Sequence, residues 1–332
     1  MVSSSTLKEL LNEYDKKQMI AISDLEKRKS ELYARIPRLQ EIETELNSFA
    51  IKTAKALLVK FDPSYISELQ NKANNLRLER ETILKKDGKD ISYLSPHYEC
   101  SKCKDTGYVL DDGKSVMCSC LKQQILNIEY NNSNIGNLDR ENFKKFNLNL
   151  YSDEVNEEKY GSDLSPRENI KIIGKEVKKF IKNFDDPNEK NLLFSGGTGL
   201  GKTFLSNCIV AELLAKGKTV LYQTAPVMLD TLISELFDKN SNNAFSQNLL
   251  SVDLLVIDDL GTETMNSMKF TELYKIINTR LLNQNGKITK TIISTNLDLQ
   301  SLFRTYDERI VSRFIGNYNI YRFFGDDIRF KK

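Results

Sequence analysis

The run Gly196-Gly197-Thr198-Gly199-Leu200-Gly201-Lys202-Thr203 constrains this chain more than any other stretch. It fits G-x-x-x-x-G-K-[ST] without a mismatch, and its flanks suit a phosphate-binding loop. Asn191-Leu192-Leu193-Phe194-Ser195, just before it, is a short apolar run of strand character. After it, Phe204, Leu205, Cys208, Ile209 and Leu213 recur at helical spacing. A strand, a glycine turn and a helix N-terminus together form an anion site, with backbone N–H groups and the helix dipole facing the phosphates. The expected nucleotide cradle is therefore Gly196 through Phe204, with Gly196, Gly197, Gly199 and Gly201 letting the backbone approach its ligand without Cβ clashes. Lys202 would reach the β- and γ-phosphates, and the Thr203 hydroxyl would complete the shell of a Mg²⁺ ion. Cys208 faces the core.

Helix and strand signals alternate from residue 165 to the end, an α/β pattern with a parallel sheet. Ser165-Pro166-Arg167-Glu168 opens it as a capping box with proline at the first helical position. Val252 to Ile257 is an apolar strand running into Asp258-Asp259, the second half of a nucleoside-triphosphate site. Asp258 would hold Mg²⁺, and Asp259 would orient the attacking water. A further strand, Lys290 to Thr295, ends at Asn296, whose side chain could contact the γ-phosphate or that water. Arg309 and Arg313 lie four apart on one helix face.

Upstream, residues 1–90 read as an arm of helices. Leu25, Leu32, Leu39 and Leu46 step by seven, as do Leu69, Leu76 and Ile83. Pro37 should kink the first stripe or start a new helix, and Asp62-Pro63-Ser64 makes a break. The expectation is a helical hairpin with a third short helix. Residues 91–122 hold His97, Cys100, Cys103, Cys118 and Cys120. Asp112-Gly113 between two short strand-like runs is a hairpin signal that returns the second cysteine pair to the first. Four thiolates suit a closed, structural Zn²⁺ site, and His97 can stand in for one of the tight Cys118-x-Cys120 pair. Residues 123–164, with the polar run 131–137, read as a linker; its apolar strip Phe143, Phe146, Leu148, Leu150 and Tyr151 should lie against the next domain. Residues 165–332 form the motor module.

Lys+Arg 48 against Asp+Glu 46 leaves +2, so no overall basic field advertises nucleic acid. Lys287, Lys290, Arg304 and the Lys331-Lys332 tail are the loose candidates for DNA contact, each also readable as solvated charge. No apolar run approaches the roughly 18 residues of a membrane span. With no signal-peptide pattern and clustered cysteines, a cytoplasmic protein with no membrane partner is expected.

GGTGLGKT, LLVIDDLG, IISTN and ERIVSRF occur in that order, after a helical arm and a Cys-x₂-Cys segment. In this the chain resembles the bacterial replicative helicase loaders of the DnaC/DnaI type, a branch of the AAA+ ATPases. The resemblance implies an arm that grips the hexameric replicative helicase. It also implies a module that binds ATP and single-stranded DNA and hydrolyses ATP during DNA replication. It places Asn296 at sensor 1 and Arg313 at the arginine finger that completes a neighbouring subunit's site, with Arg309 as fallback. The family pattern has Glu where this chain has Asp259, so slow or partner-stimulated hydrolysis is expected. Only 19 residues follow Arg313, too few for a helical lid, and Arg322 and Arg329 are weak counterparts of the lid arginine. Rival readings are a transposition helper ATPase of the IstB type, a nucleotide-sensing adaptor with little hydrolysis, and a small-molecule kinase. The kinase would carry its cysteine cluster inside the phosphate-loop domain, not ahead of it.

Overall fold

The computed structural model describes residues 4–59, 63–131, 138–238, 242–282 and 287–330. Asp62 of the expected break, residues 132–137 of the polar run and the Lys331-Lys332 tail lie outside them. The chain divides into two compact units, Ser5–Cys118 and Ser119–Lys332.

Three long helices, Ser4–Arg35, Pro37–Val59 and Pro63–Lys86, make up most of the first unit. Pro37 stands at the first position of its helix, where a missing N–H costs no intrahelical bond, so the leucine stripe is split and not kinked. The third helix has 24 residues and is not the short one expected. The second and third helices run antiparallel: Arg38 forks onto Glu79 at 2.8 and 3.1 Å, while Leu46 faces Arg77 across a shared groove. Leu32, Leu39 and Leu84 are buried together, which is what the seven-residue spacing implied for the first two. Leu46 and Ile83 are only half-buried. The cysteine segment packs with the helices: Lys17 pairs with Glu99 at 2.5 Å, and Gln18 donates to the Lys104 carbonyl. Its hairpin joins β1 (Tyr108–Asp111) to β2 (Lys114–Met117) through Asp112 and Gly113, both at positive φ as a tight two-residue turn requires.

The second unit is built on five parallel strands: β3 (Asn191–Ser195), β4 (Val220–Thr224), β5 (Leu254–Leu260), β6 (Lys290–Thr295) and β7 (Tyr318–Arg322). Their order is β4-β5-β6-β3-β7, with every pair parallel. Side chains alternate between two cores because the strand period is two. Leu193, Leu221, Leu255, Ile257 and Ile293 face helices Ala225–Phe237, Ser267–Leu281 and Glu308–Asn317. Leu192, Phe194, Val220, Val256 and Ile292 face helices Pro166–Lys182 and Lys202–Ala215. Both faces are covered, as an all-parallel sheet demands. The capping box at Ser165 and Glu168 is formed in both directions.

Residues 123–164 are described except for 132–137. Their described part belongs to the second unit: Phe143, Phe146, Leu148 and Leu150 lie against the core beside Phe204, and the buried Tyr151 hydroxyl donates to the Leu200 carbonyl at 3.2 Å. Among the described residues, no helix is long and apolar enough to cross a membrane.

Candidate nucleotide site and cysteine centre

Because the strands are parallel, the C-terminal ends of β3, β5 and β6 meet at one edge of the sheet, where such folds bind ligands. The phosphate loop follows β3, Asp258 and Asp259 close β5, and Asn296 follows β6. A cavity of about 420 Å³ opens there, lined by Thr198 to Phe204, Asp259, Thr262, Asn296, Glu141, Ile328 and Arg329. A second cavity, of about 910 Å³, borders Gly196 and Gly197 on the other side of the loop.

Lys202 donates to the carbonyls of Gly196 at 2.6 Å and Gly197 at 2.7 Å, and to Asn296 Oδ1 at 2.8 Å. Its ammonium thus sits across the mouth of the loop. Burial pushes it below the ordinary lysine value, while the charges of Asp259 and Asp258 pull it back up. Thr203 Oγ1 donates to Asp258 Oδ2 at 3.2 Å. A hydroxyl and a carboxylate side by side are the hard oxygen donors that Mg²⁺ selects, so the residues present fit that ion. Asp258 is buried and held from every side: Tyr222 OH donates to Oδ2 at 2.6 Å, Ser294 Oγ to Oδ1, and the Asp259 amide to Oδ1 at 3.2 Å.

Asp259 lies where the β5–β6 register slips between Ile257 and Leu260, with φ +55, and its carboxyl lines the cavity. Burial and then the neighbouring Asp258 charge raise its pKa, against a lowering pull from Lys202. A carboxyl of raised pKa facing a phosphate cavity is a group suited to accepting a proton.

Three of the four loop glycines, Gly196, Gly199 and Gly201, have positive φ; Gly197 does not. A Cβ on Gly196 would overlap the Phe323 carbonyl oxygen, which is backbone and cannot swing aside. Gly196→Ala should therefore lose about 3 kcal/mol of stability. A denaturation midpoint equal to that of Gly197→Ala, where only Leu200 Cδ1 at 3.8 Å would be met, would contradict this.

Arg313 lies on helix Glu308–Asn317 and does not line the cavity. Within its own chain it donates to Asn278 Oδ1 at 2.8 Å and Tyr274 OH at 2.7 Å, and stacks over the Tyr274 ring. Arg309 is more exposed and pairs with Asp307. Two loose DNA candidates have other employment. Lys290 is buried against the carbonyls of Asp186 and Glu189, and Lys287 pairs with Asp253 at 2.8 Å. Arg304 is exposed.

The sulfurs of Cys100, Cys103, Cys118 and Cys120 lie within 4.8 Å of one another. Asp105, buried, accepts from the amides of Glu99 at 2.9 Å and Cys100 at 2.8 Å and so fixes the turn carrying the first pair. Four thiols around one point match the donor set of a structural zinc site. His97 is not in the group; its Nε2 faces Arg28 Nη1 at 3.4 Å.

Sequence reasoning had not marked Tyr222, Ser294 or Glu141. Ser294 stands inside the IISTN run, and nothing in the local sequence distinguishes the others.

Residues 173–320 match the family model described as the bacterial DnaA ATPase domain. The uncharacterized protein YdaV of Escherichia coli K12 is 30% identical over 127 residues, 38% of this chain and 50% of that protein. The replicative helicase loader DnaC of the same organism is 30% identical over 145 residues, 42% of this chain and 56% of DnaC. The chain thus spans about half the length of the curated relatives it matches. The solved structure of AMPPCP-bound DnaA from Aquifex aeolicus covers 58% of this chain and 53% of its own, at 24% identity and a TM-score of 0.45. The phosphate loop and the acid pair lie within the stretch that matches the DnaA ATPase domain model, and part of the chain is similar to the replicative helicase loader DnaC.

Proposed function

We propose that this protein is an ATP-dependent loader that binds a replicative ring helicase and places it on single-stranded DNA. The observation that carries the reading is the convergence of Lys202, Thr203, Asp258, Asp259 and Asn296 at one end of one sheet. The similarity to helicase loaders over 42% of the chain supports the task assigned to that site.

In this scheme the loop amides and Lys202 hold the phosphates, the lysine exchanging two carbonyls for phosphate oxygens. Mg²⁺, held by Thr203 and Asp258, would neutralise charge on the β- and γ-phosphates. Asp259 orients water in line with the γ-phosphate and takes its proton, while Asn296 keeps contact with the reacting group. Asp259 is one methylene shorter than the family's glutamate, so turnover is slow until a partner closes the site. Arg313 acts on a neighbouring subunit's nucleotide after leaving Tyr274 and Asn278, and self-association depends on it. Residues 1–90 grip the helicase, and ATP hydrolysis releases it.

Co-purification with candidate replicative helicases, with and without ATP, tests the reading. The full chain should retain a hexameric helicase, and Asp259→Asn should retain it too but fail to release it or load it on single-stranded DNA. Loading by Asp259→Asn at the unaltered rate would sink the scheme. Retention of a transposase in place of a helicase would favour the IstB-type alternative. Hydrolysis that stays at background with helicase and DNA present would favour the adaptor.

A further inference from the structure

Among the described residues β4 is an edge strand, so the outward N–H and C=O groups of Val220 and Tyr222 have no neighbouring strand there to bond. Two side-chain amides take that place. Gln123 donates from Nε2 to the Val220 carbonyl at 3.0 Å and accepts the Val220 amide on Oε1 at 2.7 Å. Asn131 donates from Nδ2 to the same carbonyl at 2.9 Å and accepts the Tyr222 amide on Oδ1 at 2.9 Å. Asn127 Oδ1 accepts from both amides, at 2.8 and 3.1 Å, and ties them together. Both Gln123 and Asn131 are buried. The clamp therefore fixes the backbone at the residue whose side chain crosses to the acid pair.

That side chain is Tyr222, 2% exposed, with its hydroxyl 2.6 Å from Asp258 Oδ2. Phenylalanine would fill the same apolar space, so packing does not require the hydroxyl. Burying a hydroxyl costs free energy unless it is bonded. Here it bonds the same carboxylate oxygen that Thr203 reaches. Carboxylates that hold a divalent cation depend on such outer partners for orientation.

We propose that Tyr222 is a positioning residue for the divalent cation of the nucleotide site: its hydroxyl, on a strand clamped at its open edge by Gln123 and Asn131, holds Asp258 in the orientation the cation needs. The proposal rests on the nucleotide-site reading and goes beyond it. Its signature is a selective loss of divalent-cation affinity in the nucleotide complex, with nucleotide affinity in the absence of metal unchanged.

Binding of a fluorescent ADP analogue, titrated with Mg²⁺, together with Mn²⁺ titration followed by electron paramagnetic resonance, provides the test on the full chain. In Tyr222→Phe the half-saturating Mg²⁺ concentration should rise roughly tenfold, with Mn²⁺ weakened alike and metal-free nucleotide binding intact. Hydrolysis should recover at high Mg²⁺. The near-isosteric pair Gln123→Leu/Asn131→Leu should shift the same way, by roughly threefold. If that pair fails to fold, Tyr222→Phe decides alone. A Tyr222→Phe half-saturation within twofold of the unaltered chain would overturn the proposal, as would an equal loss of metal-free nucleotide affinity. Absence of nucleotide binding by the unaltered chain would overturn the site reading along with it.

Discussion

Lys202→Ala should lower ATP hydrolysis by roughly 10²–10³-fold, the usual effect of removing one preorganised charge at a phosphoryl-transfer site. ATP affinity should fall as well, because the ammonium is the one side-chain cation the phosphate loop itself supplies. The physical reason is already visible around the side chain. Lys202 sits among two loop carbonyls, the Asn296 amide oxygen and two carboxylates, all of which carry negative charge or partial charge. Without it those oxygens face an incoming triphosphate with nothing to offset them. Lys202→Arg should rescue little, since a planar guanidinium does not fit between carbonyls spaced for an ammonium. Asp259→Asn separates binding from chemistry: it removes a negative group from the cavity, so ATP should bind at least as tightly while hydrolysis is lost. Thermal melting of all three variants should stay near that of the unaltered chain, because none of these side chains belongs to either apolar core. Hydrolysis within tenfold of the unaltered rate in Lys202→Ala, measured as phosphate release, would remove the basis of the functional reading.

The central parts of this site could be read from sequence because each sits at the end of an apolar strand. In a parallel sheet strand ends gather at one edge, so the motifs needed no further information to be placed together. Other parts depend on partners distant in the chain. Strand β7 is short, and Tyr318, Asn319, Ile320, Tyr321 and Arg322 give no clean apolar alternation, yet it pairs in register with β3. Gln123 and Asn131 look like polar residues of a connecting stretch until Val220 and Tyr222 are seen beside them. The bond of Tyr222 to Asp258 follows only from the β4–β5 pairing that sets Thr224 opposite Asp258. In the arm the leucine spacing located the stripes. Whether Pro37 kinks a helix or begins one is decided by the chain's path, which a local pattern does not contain.

Removing metal from the cysteine centre should unfold the segment around residues 100–118 while leaving the nucleotide site competent to bind. Structural zinc contributes on the order of 10 kcal/mol to sites of this type at neutral pH. The hairpin β1–β2 has little else to hold it: in both strands the side chains are half-buried or exposed, and Leu110 is 81% exposed. Two short strands without a core of their own are marginal in water. The second unit, by contrast, holds two apolar clusters made of residues 126 and beyond, whose packing does not involve the thiols. Elemental analysis should find one zinc per chain, and cadmium substitution should give the ultraviolet absorption of thiolate ligands. Chelation, or Cys103→Ser with Cys118→Ser, should expose residues 100–118 to protease; on the proposed loader reading it should also sharply reduce retention of a replicative helicase, since Lys17 and Gln18 of the first helix bond to Glu99 and Lys104 beside the cysteines. His97→Ala should change neither zinc content nor protease resistance, because its ring faces Arg28 and not the sulfurs. Zinc-free protein with the same protease pattern would show that the four thiols pack as ordinary unligated side chains, two of them buried and two half-buried. A loss of zinc on His97→Ala would show that one cysteine of the closing pair had been assigned wrongly.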